Sequence, residues 1–118
     1  MTYESKRRIN AFLDIPTGSA GVLYTCPTNR TAVVKEIIVS NVDVSNASAN
    51  LTIQIVDTST GNTFNLVSTK PVAENTYLRI DSANIILESG DILKALASAA
   101  DDLEASAFIE EYPDPMRS

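Results

Sequence analysis

Few side chains in this sequence are of the types that do chemistry. Histidine, the commonest general base and metal ligand in proteins, does not occur among the 118 residues. The single cysteine, Cys26, stands between Thr25 and Pro27, and Arg30 is the nearest basic residue. A thiol becomes a nucleophile when a neighbouring base or positive charge lowers its pKa, and one arginine four residues away is weak support for that. We therefore interpret Cys26 as a small apolar core residue.

Two pairs of adjacent carboxylates, Asp101-Asp102 and Glu110-Glu111, are the remaining candidates for acid–base chemistry. Adjacent residues of a strand point to opposite faces of a sheet, so Glu110 and Glu111 do not converge on one substrate. The two aspartates follow a pair of alanines at a predicted turn, where acids are ordinary loop residues. Neither pair is predicted to be catalytic.

Oxygen ligands for calcium are present at Asn41-Val42-Asp43 and at Asp81-Ser82-Ala83-Asn84. Neither segment has the acidic spacing of a calcium-binding loop, and Asx turns explain both. The four glycines are dispersed and no predicted strand leads into a helix, so a phosphate-binding loop is not expected. We predict a non-enzymatic protein with no catalytic, metal-binding or cofactor-binding residues.

The charge and hydropathy of the chain argue against two further classes of partner. With 15 acidic and 9 basic residues, the net charge of -6 disfavours nucleic acid, because phosphate binding needs a basic surface. No apolar segment approaches the ~18 residues of a membrane span. Asn10, Asp14 and Pro16 interrupt the N-terminal apolar stretch, unlike a signal peptide, and a single cysteine forms no internal disulfide. These features predict synthesis in a reducing cytoplasm, without nucleic-acid or membrane partners.

The elements that position these side chains are predicted to be strands. Runs of β-branched residues alternate with Asn, Asp, Gly and Pro, and no stretch keeps the 3.6-residue apolar period of a helix. Strands are predicted at residues 21–25, 31–41, 50–57, 62–68, 76–80, 84–87, 91–97 and 103–111, with a short additional strand at 9–13. The fold class is therefore all-β, an antiparallel β-sandwich of about eight strands.

The length of the chain suits one domain with extended ends. The β-sandwich domain is predicted at residues 20–111, with an N-terminal arm at 1–19 and a C-terminal tail at 112–118. Pro113 and Pro115 lack the amide proton that a sheet ladder needs, which favours an extended exit segment.

One predicted strand, residues 31–41, carries apolar side chains on both faces if it alternates regularly. Val33, Ile37 and Val39 share one parity, whereas Ala32, Val34 and Ile38 share the other. Such a strand needs cover on both faces, from the chain's own arm or tail or from a neighbouring subunit. The ends also differ in charge, basic at residues 6–8 and acidic from Asp101 onward, which suits contacts between copies. We predict a homo-oligomer. The strand with two apolar faces is explained equally well if the chain's own arm covers its second face.

Two sequence motifs stand out. In the first, Leu23-Tyr24-Thr25-Cys26-Pro27 is followed, after a short turn, by the apolar strand at 31–41. In the second, the run at 85–91 ends in a glycine-aspartate turn before Leu93-Lys94-Ala95. In these motifs the chain resembles a family of small virion structural proteins of tailed bacteriophages, over residues 20–111. Cys26 occupies a place that often holds valine. The resemblance implies a jelly-roll-like sandwich and a place in the particle, and it carries over no catalytic residues.

The function that this resemblance implies is that of a structural component of a phage virion. Its partners would be other virion proteins, either the major capsid protein or tail proteins, together with further copies of itself. Head decoration is preferred, because a compact acidic domain with short arms can join neighbouring capsid subunits. A tail or neck accessory protein is the first alternative. A carbohydrate-binding tail module is the second, although the four tyrosines are spread along the chain and tryptophan does not occur.

Overall fold

The computed structural model describes residues 6–43, 48–81, 85–99 and 102–113, which form nine strands and no helix. The strands are β1 (Arg7–Asp14), β2 (Gly21–Thr25), β3 (Arg30–Asn41), β4 (Ala49–Asp57), β5 (Asn62–Val72), β6 (Tyr77–Ile80), β7 (Ile85–Leu87), β8 (Ile92–Ala97) and β9 (Leu103–Pro113). Their bounds follow the turn residues of the sequence closely. The all-β prediction is confirmed.

The strands form two antiparallel sheets. The five-stranded sheet has the order β1-β9-β3-β6, with β7 also paired to β3, and the four-stranded sheet has the order β2-β8-β4-β5. β6 pairs with residues 37–40 of β3 and β7 pairs with residues 32–34, so these two short strands share one edge. Counted as one interrupted strand, they leave two four-stranded layers with the connectivity of a jelly roll. The predicted jelly-roll-like β-sandwich is confirmed.

The core consists of aliphatic side chains that point inward from both sheets. The inward residues are Ala32, Val34, Ile37 and Val39 of β3, Leu103, Ala105, Ala107 and Ile109 of β9, Leu51 and Ile53 of β4, and Leu93 and Ala95 of β8. Each of these side chains is at most 2% exposed. Removing this apolar surface from water is the main term that stabilises the fold.

A β-bulge in β3 overturns the expectation that this strand has two apolar faces. Val34 lies opposite Ile109 and Glu36 lies opposite Phe108, so Lys35 is an extra residue without a partner position on β9. The bulge reverses the parity of the strand, and therefore Val34 before it and Ile37 after it both point into the core. Regular alternation was the wrong assumption. On the outer face only half-buried Val33 and Ile38 remain of the apolar residues counted in the sequence.

The five-stranded sheet extends into both predicted terminal segments. Within the predicted arm, β1 pairs with β9 over its whole length, from Arg7 opposite Glu111 to Asp14 opposite Glu104. In the predicted tail, β9 continues to Pro113, which lies opposite Arg30. Residues 1–5 and 114–118 lie outside the described residues. Within the described ranges, no helix has the length and apolar character needed to cross a membrane.

Candidate functional site

Cys26 lies in the core, where the two sequence motifs meet: the end of β2 contacts the turn at Gly90-Asp91. Its backbone N–H donates to the Asp91 carbonyl and its carbonyl accepts the Gly90 N–H, both at 2.9 Å, so the strand end before Pro27 is fixed to the glycine-aspartate turn. The thiol is 1% exposed and donates to the backbone carbonyl of Arg30 at 3.3 Å. Burial, followed by the negative charge of Glu111, raises the pKa of the Cys26 thiol to about 11. The thiol therefore stays protonated at neutral pH, as a core residue does.

The paired glutamates point to opposite faces of β9, as the alternation of a strand requires. Glu110 lies on the outer face, where its carboxylate accepts a hydrogen bond from the Tyr112 hydroxyl at 2.8 Å and contacts Lys6 at 3.6 Å. Glu111 lies on the inner face and is 2% exposed. The two carboxylates thus have separate partners and do not form an acid–base pair.

A cluster around the buried Glu111 carboxylate joins both sheets. Arg7 of β1 donates through Nε to Glu111 Oε1 at 2.6 Å, and Arg30 Nε of β3 lies 3.9 Å from the same oxygen. The Tyr24 hydroxyl, from β2 in the opposite sheet, donates to Oε2. A carboxylate that is removed from water needs such charged and hydrogen-bonding partners. The cluster therefore fixes the start of β1 and the two sheets to one another.

The phenol of Tyr24 is suited to this structural task. Burial, followed by the hydrogen bond to the Glu111 carboxylate, raises the pKa of Tyr24 far above the usual range of tyrosine. The hydroxyl thus stays a donor at any physiological pH. A catalytic tyrosine would need its pKa moved toward neutrality, in the opposite direction. The geometry supports a fixed hydrogen bond rather than proton transfer.

The cluster around Glu111 was not predicted, although the sequence contains one signal for it. Glu111 has the same parity as Leu103, Ala105, Ala107 and Ile109, so a regular strand places it inward with the core residues. Arg30 likewise precedes the inward Ala32 and Val34. The partners of Glu111 were not predictable, because Arg7 and Tyr24 lie 104 and 87 residues away from it.

Of the two segments that we considered as sources of calcium ligands, the one at Asn41–Asp43 forms the predicted Asx turn. Asn41 accepts the Asp43 N–H through Oδ1 at 2.9 Å, and its amide nitrogen donates to the Val72 carbonyl at 2.9 Å. Asp81 contacts Arg79 at 3.1 Å. Residues 82–84 and Asp101 lie outside the described residues. In the described part of the chain, no three His, Cys, Asp or Glu side chains are arranged to hold a metal ion.

Two of the basic residues that we expected to contact another copy have partners within the chain. Lys6 contacts Glu110 and Arg7 contacts Glu111, so the basic start of β1 lies beside the acidic end of β9. Arg8 lies on the outer face, opposite Glu110. The charge difference between the ends is therefore used largely inside the monomer.

Four of the eight large apolar side chains that are exposed in the described residues lie on the outer face of the five-stranded sheet. Phe12, Tyr77, Ile86 and Tyr112 are 69%, 65%, 62% and 36% exposed. Ile86 lies opposite the half-buried Val33, which makes a small apolar surface at the β7 edge. Exposed aromatic and aliphatic side chains on one face are typical of surfaces that bind other proteins. This outer face is the best candidate for a surface that binds another protein.

No protein-family model matches the chain, and no curated protein sequence matches it. Solved structures nevertheless share its fold. A chain of the T13 particle of infectious bursal disease virus superposes with a TM-score of 0.54 at 11% identity, over 98% of this chain and 34% of that chain. A chain of the Gx strain of that virus gives a TM-score of 0.52 at 14% identity, over 98% of this chain and 36% of that chain.

A third structure, from Bacillus endospore appendages that form disulfide-linked pili, gives a TM-score of 0.49 at 15% identity, over 92% of this chain and 88% of that chain. The chain spans about a third of the length of the viral chains that it matches. At 11% and 14% identity, the likeness to the two viral chains concerns the fold alone. The chain thus shares its β-sandwich fold with chains of virus particles.

Proposed function

We propose that this chain is a non-enzymatic structural component of a bacteriophage particle, and that within the particle it is a head decoration protein bound to capsid subunits. The sequence resemblance to small virion proteins of tailed phages supports this proposal. The β-sandwich that it shares with chains of a virus particle is compatible with it. The described polar clusters hold turns and strands together, which is what a structural protein needs.

The observation that carries the proposal is the set of exposed apolar side chains on the outer sheet face, where they stand among charged residues such as Glu36 and Arg79. Ile86 of β7 exposes most of its surface opposite Val33 of β3. Tyr77 of β6 is also mostly exposed and lies opposite Ser40, diagonal to Ile38. Exposed apolar surface of this kind is costly in water and is stabilised when a partner covers it. Repetition of such a contact over a capsid lattice gives strong attachment from individually modest contacts.

The preferred test is the position of the protein in purified phage particles by electron microscopy. Density at regular positions on the capsid lattice supports head decoration. Density restricted to the tail or neck would instead support the role of a tail or neck accessory protein. Absence of the protein from the particles would overturn the proposal. The same particles give the copy number and the partner directly.

The binding surface is tested with particles that lack this protein. Ile86→Glu and Tyr77→Glu place a charge on the outer face of the five-stranded sheet, and each is expected to weaken binding to particles about tenfold or more. Phe64→Glu is the matched control, since Phe64 is 56% exposed but belongs to β5 of the other sheet. Equal binding by all three variants would contradict the assigned face.

The carbohydrate-binding alternative is less favoured by the arrangement of the exposed tyrosines. Tyr77 lies opposite Ser40 and Tyr112 lies opposite Thr31, at the two ends of β3. The rise of a strand separates these positions by about 30 Å, so the two rings do not form one platform for a sugar. If the protein bound a sugar in a glycan screen and Tyr77→Ala abolished that binding, the carbohydrate-binding alternative would be preferred instead.

A further inference from the structure

The strand β1 forms an open and regular edge of the five-stranded sheet. Among the described residues it pairs with β9 alone, and its register runs without a shift from Arg7 to Asp14. It contains no proline and no bulge. The backbone groups on its other side are therefore aligned to pair with a further strand.

The other three edges carry features that oppose such pairing. β2 is short and has a register shift between Val22 and Tyr24. β5 has two register shifts against β4, a positive φ of 48° at Thr69, and Pro71. β6 and β7 are only four and three residues long. Natural β proteins use short, bulged or proline-containing edges to prevent association, and β1 lacks all three.

A second copy of β1 is a strand that fits this edge. In an antiparallel pair, directly opposite residues point to the same face, so in a two-fold symmetric pair one residue must lie opposite its own copy, with the axis midway between them. When that residue is Ala11, Ile9 lies opposite Leu13 of the second copy on the inner face. Both side chains are half-buried against the core in the monomer, so the pair extends the apolar layer across the interface.

The same register brings opposite charges together on the outer face. Arg8 lies opposite Asp14 of the second copy, and two-fold symmetry creates this pair twice. Within the monomer Asp14 lies opposite Glu104, and two like charges at such positions repel one another. An arginine from the second copy would relieve that repulsion.

Phe12 provides a further reason for this register. It is 69% exposed, more than any other large apolar side chain in the described part of the chain. Phe12 of the two copies would be diagonal neighbours across the axis, at a separation that aromatic side chains can bridge. A surface depression of about 310 Å³, lined by Phe12, Asp14, Glu104 and Ser106 among others, lies where the Arg8 side chain of the second copy would arrive. Aromatic and acidic lining suits a guanidinium group.

We propose that two copies of this protein pair antiparallel through β1, with Ala11 opposite its own copy across the two-fold axis, to form one continuous ten-stranded sheet. The pairing identifies the interface of the predicted homo-oligomer. It is a property of the free protein and does not rest on particle binding, so its failure and the failure of the proposed function are separate results.

Cysteine cross-linking tests the register. Ala11→Cys is expected to give a disulfide-linked dimer in mild oxidant, because opposite Cα atoms in an antiparallel pair are within the range that a disulfide spans. Asn10→Cys or Phe12→Cys alone should remain monomeric on non-reducing gels, whereas a mixture of these two variants should cross-link. The buried Cys26 does not interfere. Efficient self-cross-linking of Asn10→Cys, or none of Ala11→Cys, overturns the proposed register.

Charge reversal tests the interface without oxidation. Arg8→Asp and Asp14→Arg should each raise the dimer dissociation constant by about 10- to 100-fold in sedimentation at low salt, because two attractive pairs become repulsive. The double variant should restore dimerisation. Asp14→Arg removes the like-charge pair with Glu104, so its loss of dimer cannot be ascribed to unfolding.

Lys35→Asp is the control, since it makes the same type of charge change on the central strand β3, away from the β1 edge. It should leave the dissociation constant unchanged. A wild-type chain that is monomeric at all concentrations, or a double variant that stays as weak as the single variants, overturns the proposal.

Discussion

Glu110 and Glu111 are neighbours in β9 with the same side chain, but they belong to two different regions of the molecule. Glu111 lies in the interior, where its carboxylate contacts Arg7, Arg30 and Tyr24 from three other strands. Glu110 lies on the outer face and contacts Lys6 and its near neighbour Tyr112. The interior carboxylate holds distant segments together, whereas the outer carboxylate adds surface contacts to strands that other interactions already hold in place.

The difference arises from water rather than from the number of contacts. An exposed ion pair gains little, because water solvates both charges almost as well as they solvate each other. A buried carboxylate has lost its water, so each partner that is removed leaves a group without compensation. Substitutions that are chemically identical at the two positions should therefore have very different effects.

The largest effect is expected from Glu111→Gln. It removes the charge that compensates the buried Arg30 guanidinium, at a cost of about 3–5 kcal/mol in the free energy of unfolding. Urea denaturation followed by circular dichroism measures this cost, provided that the variant is folded at the start. A loss below about 1 kcal/mol would mean that the cluster is solvated and does not hold the sheets together.

Tyr24→Phe should have the next largest effect. It keeps the ring in the core and removes only the hydrogen bond to the Glu111 carboxylate, which is worth about 1.5–3 kcal/mol for a charged acceptor. Tyr112→Phe is the matched control, because its hydroxyl donates to Glu110 on the outer face. The comparison fails if both variants shift the midpoint of urea unfolding by the same amount.

Alkaline pH should weaken the interior region selectively. The folded-state pKa values of Tyr24 and Cys26 are raised by burial, so their contribution to stability is complete below the unfolded-state pKa values and is lost as the pH rises. The thiol, with its pKa raised from 9.0 to about 11, starts to lose its contribution above pH 9.

From pH 8 to pH 11 the thiol alone should lower the free energy of unfolding by about 2 kcal/mol. Urea unfolding at several pH values measures the fall, and Tyr24→Phe should show a smaller fall than the wild type because it lacks one of the two groups. Equal stability at pH 8 and pH 11 would contradict the burial of both groups.

The strands could be predicted from the sequence because local turn residues define them. Asn62, Gly90 and Asp91 mark strand ends in the sequence, and the structure places the strands between them. The bulge at Lys35 could not be predicted in this way, since an extra residue changes the parity without changing the composition. That one residue turned a strand with a single apolar face into an apparently two-faced one.

The interior cluster needed information that no local pattern contains. The parity of β9 places Glu111 inward, but a charged residue is rarely buried unless partners are present. Those partners come from β1, β2 and β3, and their approach depends on the strand order of both sheets. The candidate surface has the same origin, because the exposure of Phe12 and Ile86 depends on which strands form the edges.

The smallest effect is expected from Glu110→Gln. The hydrogen bond from Tyr112, and next the charge of Lys6, lower the pKa of Glu110, so its contribution exists above the usual glutamate pKa and is lost as the pH falls. At neutral pH we expect no measurable change in the urea midpoint, because on the exposed outer face water solvates Lys6 and Tyr112 when the carboxylate is lost. A drop as large as that of Glu111→Gln would mean that the outer ion pairs contribute as much as the interior cluster to fixing β1 to β9. Since β1 is also the strand that we propose for pairing between copies, this measurement compares how much the surface charges and the core beneath them hold the dimer edge in place.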